Sequence, residues 1–457
     1  MKKGVLVIPE DSPYVRRSKE HGRRKFIAQG AVSEASTSFS GSFIVAFAKD
    51  IGANALHVGF LSAFSGLLSP FGNLLGSKLM ESSSRRSIHY KYTLLLALVW
   101  LPILSLIFFF WKDIGAAYLP YALIAFYSLY VFLSSVKDPP TFSWLGDMVP
   151  ADMRGKYFAQ RSRFIGFIGL ATFLIGGFLL DFFETRGYLL IAYAILFTIS
   201  IVLRFYSALQ VNHIFSPRFT LHKGYYFSFW SFLRRYDNFG RFAVFYAVFN
   251  FAIMIASPFF GYYMLNDLGF GKVTFTIVSL SSTAFSLLFM PLAGKFSDRY
   301  GNLKLLYIGG VMFALNPIVW IFFKSPIVLA LVPGFIAGVA NAAIGIAVTN
   351  YTYDSTSEQR RGLCVAYLSV LSGIGIFIGS LAGGLMIEYL NVSFMNTTLF
   401  VFGIAAVLRA GVALYFLPQL EEVRPVKRLH GLSVNVLHPF RAIHSDVVWF
   451  KRFYHSK

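Results

Sequence analysis

The sequence predicts an all-α membrane protein in which twelve transmembrane helices form two six-helix repeats around a central cavity. Three observations lead there. Hydrophobic residues make up 56% of the chain and charged residues only 14%, with a mean hydropathy of +0.61. Too few polar side chains remain to cover a water-exposed surface. Apolar runs of about 20 residues, enough to cross a hydrocarbon core of about 30 Å, recur from end to end. Finally, one stretch occurs twice. Residues 147–181 align without a gap on 354–388, with nine of 35 positions identical, and most identities are Gly, Asp and Arg. Chance likeness between apolar helices would instead match Leu, Ile and Phe.

Taken in order, residues 1–25 form a polar, basic N-terminal segment that ends in Arg23-Arg24-Lys25. The opening apolar run resembles a signal peptide for six residues, then stops at Pro9, so no cleavage is expected. Spans are predicted near 27–48, 54–78, 91–111, 117–141, 158–181 and 187–210, which places an N-terminal six-helix half over 26–210. A cytoplasmic linker is predicted at 211–237. Six further spans lie near 239–265, 273–293, 304–323, 327–349, 364–387 and 395–417, a C-terminal half over 238–417. A basic amphipathic tail over 418–457 closes the chain.

The net charge of +20 invites a nucleic-acid reading, and its distribution argues against one. With both termini cytoplasmic, the cytoplasmic segments carry 33 Lys and Arg and the opposite loops five, while Lys137, Arg204 and Arg409 fall within or near spans. That asymmetry is a topology signal facing anionic lipid. Cys364 is the sole cysteine, which excludes an internal disulfide and a thiolate metal cluster. No P-loop, metal motif or nucleophile elbow occurs, so neither a cofactor nor an enzymatic activity is expected.

The repeat reaches beyond its best stretch. Asp50-Ile-Gly52 is mirrored by Asp267-Leu-Gly269, and Val202-Leu203-Arg204 by Val407-Leu408-Arg409. The offset drifts from about 217 early to 207 later, so the first half carries extra residues around spans two to four. Halves of equal orientation imply an axis along the membrane normal with a cavity between them.

Gly294-Lys-Phe-Ser-Asp298-Arg299-Tyr-Gly301-Asn-Leu-Lys304, between spans eight and nine, resembles the G-x-x-x-D-R-x-G-R-K loop of the major facilitator superfamily, with Asn302 in place of one basic residue. Asp147 with Arg154-Gly155, and Asp354 with Arg361-Gly362, resemble that family's D-x(6)-R-G segments. The likeness covers about residues 25 to 418. It implies two six-helix halves, transport by alternating access, and a cytoplasmic latch at Gly294, Asp298, Arg299 and Gly301, with cross-helix pairs at Asp147, Arg154, Asp354 and Arg361. The matching first-half loop around Gly76 lacks the Asp, which weakens a symmetric latch. Span five lacks the antiporter signature Pro, and its glycines read as packing sites.

Charge inside a bilayer needs a partner or a task. Glu34 lies eight residues into span one, about 12 Å deep. Its neighbours Ser33, Ser36, Thr37, Ser38 and Ser40 give this span the polarity of a cavity wall. Asn250 is its counterpart in span seven. Lys137-Asp138-Pro139-Pro140 begins a loop by hydropathy alone, yet the repeat maps Lys137-Asp138 onto Ile344-Gly345, inside span ten. The expectation is that Glu34 and Lys137 pair in the empty state and that proton or substrate binding breaks the pair. Asn341, Asn316, Asn73, Tyr130 and His57 are further polar residues in spans, each read singly as a helix–helix hydrogen bond. Aromatic-basic stretches at 225–235 and in the tail suit helices lying on the cytoplasmic leaflet.

The expected activity is secondary active transport of a small solute, driven by its own gradient or a coupled proton. A uniporter and a non-transporting solute sensor of the same fold are the alternatives. Sugars, organic acids, amino acids and amphipathic drugs all remain open as solutes. The expected state is a monomer spanning the plasma membrane.

Overall fold

The computed structural model describes residues 13–112, 115–150, 154–217, 237–356 and 358–423. The expected interfacial linker helix at 225–235 and residues 424–457 of the amphipathic tail lie outside these residues, as do the side chains of Arg154 and Arg361.

Among the described residues, eleven helical segments are long and apolar enough to cross a membrane: Ala55–Leu79, Arg85–Trp111, Leu119–Met148, Gln160–Glu184, Leu189–Asn212, Asn238–Asn266, Lys272–Tyr300, Asn302–Phe322, Pro326–Asp354, Cys364–Tyr389 and Thr397–Gln419. They are spans two to twelve. Span one is built from Pro13–Ser40, a short tight turn of helix at Gly41–Phe43, and Ile44–Asp50. Its serines, Thr37 and Glu34 hold its hydropathy below that of the others. Large apolar side chains such as Phe167, Leu288, Phe322, Val407 and Leu414 are exposed along the outer surface, as contact with lipid requires.

Helix starts follow local chemistry. Asn54 and His57 close a reciprocal capping box at the start of span two, and Ser84, Asp237 and Asn396 cap spans three, seven and twelve. Three breaks interrupt spans. In span four the helix stops at Val136 and restarts at Asp138, because Pro139 and Pro140 have no N–H to bond the preceding carbonyls. Their missing donors fall in the first turn of the second piece, where none is needed. The chain then runs on to Met148, so Lys137 lies inside a 30-residue span rather than at the start of a loop. Span seven breaks at Ile255–Pro258, opposite the Gly41–Phe43 turn of span one under the repeat. Span ten, the mate of span four, has Ile344-Gly345 where span four has its charged hinge and stays one helix.

Packing obeys the duplication. Span one packs on five and six as seven packs on eleven and twelve. Spans two and four, three and four, and three and six pair as eight and ten, nine and ten, and nine and twelve do. Across the seam, two packs on eleven and five on eight, pairs that exchange when the halves are swapped. That relation is the two-fold expected of a tandem copy.

The buried apolar residues fall into three groups whose membership defines the conformation. The largest draws on both halves, from Phe43, Phe47 and Phe197 to Phe259, Tyr263 and Phe402, all near the face away from the chain ends. The other two lie near the face carrying the ends, and each belongs to one half: Phe26, Trp144 and Val211 in the first, Phe242, Tyr351 and Leu417 in the second. The halves therefore share a core on the distal side and separate on the terminal side.

Candidate functional site

The distal seal is polar at its rim. Asp50, closing span one, receives the Lys272 ammonium from the start of span eight at 2.5 Å and the Tyr193 hydroxyl from span six at 2.7 Å. Glu184 at the end of span five lies 3.9 Å from the same ammonium. The Lys272 side chain is 3% exposed and that of Asp50 10%, so this ion pair between the halves is screened from water. Beside it, the Asn54 amide of span two donates to Glu388 of span eleven at 2.7 Å. Beneath the rim the backbones touch: a Cβ on Gly59 would stand 2.9 Å from the Ser380 carbonyl oxygen and 3.2 Å from the Gly384 Cα.

Behind the seal, the first half gathers charge around span one. Glu34 lies against Gly169 of span five, its Oε1 3.2 Å from where a Cβ would sit. One turn toward the terminal face, Gly30 faces the Arg161 guanidinium. Arg204 of span six, 2% exposed, donates to Ser33 Oγ at 2.5 Å, Thr37 Oγ1 at 2.8 Å and Tyr130 Oη at 2.9 Å. Ser36 and Ser40 bond Ser200. The polarity of span one thus serves mainly to bind span six, and Glu34 is left as its charged group beside the seam. Because Arg204 holds Thr37 and Tyr130 at one level, Lys137, seven residues past Tyr130, lies about 10 Å nearer the terminal face by helical rise.

Lys137 pairs with its neighbour Asp138 at 3.5 Å, and among the described residues it forms no ion pair with Glu34. The direct contact expected from the sequence is absent in this conformation, for two reasons. The hinge points Lys137 at Asp138, and Glu34 sits about 6 Å deeper by the same count. A hydrogen-bond chain fixes the hinge. Thr141 Oγ1 donates to the Lys137 carbonyl at 2.6 Å, so it accepts from His89 Nδ1 at 2.6 Å. That leaves His89 Nε2 to accept from Gln29, whose other amide hydrogen goes to Ser207 at 2.9 Å.

The second half holds a cavity of about 520 Å³ between spans seven, eight, nine, ten and twelve, walled by Asn250, Asn316, Asn341, Ser257, Phe260 and Trp320. Among the described residues, its single charged wall residue is Arg409. That guanidinium is fully buried and donates to the Ala252, Ile253 and Phe313 carbonyls and to Ser257 Oγ. Two of those carbonyls end the first piece of span seven, so Arg409 caps the break. Arg204 and Arg409 occupy equivalent places in the two halves.

The terminal face carries the motif residues. Arg85, opening span three, binds Asp147 at 2.6 Å, and Asn302, opening span nine, binds Asp354 at 2.9 Å. Arg85 and Asn302 are repeat mates, so each motif Asp is tied within its own half. Asn302, the residue that departs from the family pattern, also accepts from Ser297, and Gly301 supplies the φ of +98° that ends span eight. Asn316 bonds the Pro333 carbonyl and Tyr130 bonds Arg204, the helix-to-helix role expected of them, whereas His57 caps its own helix through Asn54 instead of hydrogen-bonding another span. Sequence reading missed Arg161, Asp50 and Lys272, and counted Arg204 and Arg409 without placing them. The mirrored Val-Leu-Arg triplets were the available signal for the last two.

Comparison with known proteins agrees with this architecture. Residues 242–454 match the family model of the Major Facilitator Superfamily. A curated relative, Multidrug resistance protein 2 of Bacillus subtilis (strain 168), is 30% identical over 154 residues, 32% of this chain and 35% of that protein, so the matched stretch spans about a third of its length. Among solved structures, a point mutant of the nucleoside transporter NupG superposes with a TM-score of 0.65 at 16% identity, over 87% of this chain and 100% of that one. A D-xylose-proton symporter gives 0.63 at 15% identity, over 90% and 99%. The C-terminal half of the chain thus matches the major facilitator superfamily in sequence, and its fold is similar to those of the two transporters over almost its whole length.

Proposed function

We propose that the protein is a secondary active transporter that moves a small solute by alternating access, with the described conformation facing the cytoplasm through its terminal face. The observation that carries this reading is the distribution of cores: one shared by both halves on the distal side, and one private to each on the terminal side. A rocking motion about the seam exchanges these arrangements without unfolding either half. The fold places the protein in a membrane as a multi-pass chain; the plasma membrane with cytoplasmic termini fits the charge asymmetry. Nucleosides, xylose and drugs, named for the similar proteins, are starting points for a solute screen.

In this reading Glu34 takes the proton and Lys137–Asp138 responds to it at the hinge, so the process is symport. Asn250 and Asn341 contact the solute from the C-half cavity. Asp147, Arg154, Asp354 and Arg361, with Gly294, Asp298, Arg299 and Gly301, form the contacts remade when the terminal face closes. Uptake into proteoliposomes, for a solute found by thermal-shift screening, should collapse in Glu34→Gln and Lys137→Met. Full activity in both variants would remove the two residues from the mechanism. Uptake that persists unchanged when the pH gradient is abolished would make the protein a uniporter.

A further inference from the structure

We infer that the transported solute is an anion, a small organic molecule bearing a carboxylate or phosphate; this rests on the transport reading above. The charge balance at the candidate site carries it. Around span one, three positive side chains (Lys137, Arg161 and Arg204) meet two carboxylates, Glu34 and Asp138, and Asp138 is already engaged by Lys137 at 3.5 Å. That leaves Glu34 as the one carboxylate against two guanidinium groups on neighbouring turns. In the second half the balance is more lopsided. Asn250 stands where the repeat would place a second Glu, and the cavity wall holds Arg409, amides and hydroxyls with no carboxylate.

Two of these guanidinium groups also retain unused donors. The Nε–H of Arg161 and the Nε–H of Arg204 are buried without an acceptor. A buried unmatched donor is rare in a finished structure and marks a place where an acceptor belongs. Charges held in low-dielectric walls focus their field into the space between them. A positively charged solute entering that space would meet a net repulsion, with Glu34 as the one nearby carboxylate that Lys137 does not already engage. An anion would find unmatched N–H donors at Arg161 and a cation excess on both sides of the seam. The C-half cavity, about 520 Å³ with Phe260 and Trp320 beside the three Asn, has the size and mixed character to take the uncharged body.

The test uses purified full-length protein and matched probes on three skeletons, an aromatic ring, a short alkyl chain and a pentose, each ending in a carboxylate, a phosphate monoester, a neutral amide or an ammonium. Thermal stabilisation should come from anionic members only, and the carboxylate and phosphate arms say which acid is read. Arg161→Gln should weaken the apparent affinity by about tenfold to a hundredfold, the worth of one charge-assisted contact, while Arg161→Lys keeps part of it. Silence from every anion, equal stabilisation by amide or ammonium members, or undiminished anion binding in Arg161→Gln overturns the inference. Uptake by proteoliposomes separates the two readings. Binding of anions without uptake defeats transport and leaves the anion site standing, whereas uptake of an amide or ammonium probe alone does the reverse.

Discussion

At Asp50 and Lys272 two charges have left water to meet across the seam, and such a pair is costly to break from one side only. Removing one partner of a buried ion pair strands the other, at about 3 kcal/mol or more. Here the stranded charge has an escape, because separating the halves on the distal side returns it to water. Lys272→Ala should therefore shift the distal-closed to distal-open ratio by about two orders of magnitude rather than unfold the protein. Hydrogen–deuterium exchange in the loops around residues 51–54 and 267–271 should accelerate, and the double exchange Asp50→Lys with Lys272→Asp should restore protection. Unchanged exchange in Lys272→Ala would mean that the pair is not part of the seal. These residues were legible only as a loop charge and a repeat marker. A charge next to a span boundary looks the same in sequence whether water or another helix lies beside it.

Between helices, the closest approach is made by glycine. Spans two and eleven meet where Gly59 and Gly384 remove both side chains, and any Cβ at Gly59 meets backbone that cannot rotate away. Gly59→Val should wedge the distal ends apart, abolishing uptake while the protein still folds, at an overpacking cost of about 1–3 kcal/mol. Gly411→Ala, where nothing stands within 4 Å, serves as the neutral control. Retained uptake in Gly59→Val would show that the seam tolerates a gap there. Element boundaries were readable where local chemistry decides them, as at Asn54, Ser84 and the Pro139-Pro140 hinge. Hydropathy alone ended span four too soon, because it scores Lys137-Asp138 as solvent-facing. The repeat corrected it by supplying Ile344-Gly345 at the same depth.

For the molecule as a whole, alternating access requires the distal seam to open during every cycle. Replacing Asn54 and Glu388 with cysteine in a Cys364→Ser background puts two thiols across spans two and eleven, at side chains now 2.7 Å apart. A short reducible thiol cross-linker should stop proteoliposome uptake, and reductant should return it. Uptake that survives complete cross-linking would exclude a moving seam. On the terminal face, Asp147 and Asp354 hold Arg85 and Asn302 of their own halves.

The sequence by itself determined that the chain crosses a membrane, that it is a duplicated unit, and which helices are equivalent. Hydropathy and repetition are properties of order along the chain, and no contact is needed to read them. The tertiary structure decided which polar residues answer one another. Ser33 and Thr37 of span one turned out to serve Arg204 while Ser36 and Ser40 bond Ser200, Lys137 turned to Asp138 instead of Glu34, and Arg161 came to face the same stretch of helix as Glu34. Those pairings depend on helix rotation and on which face is shut. Neither is written in the spacing of residues, because one span's rotation is fixed only by the side chains of another.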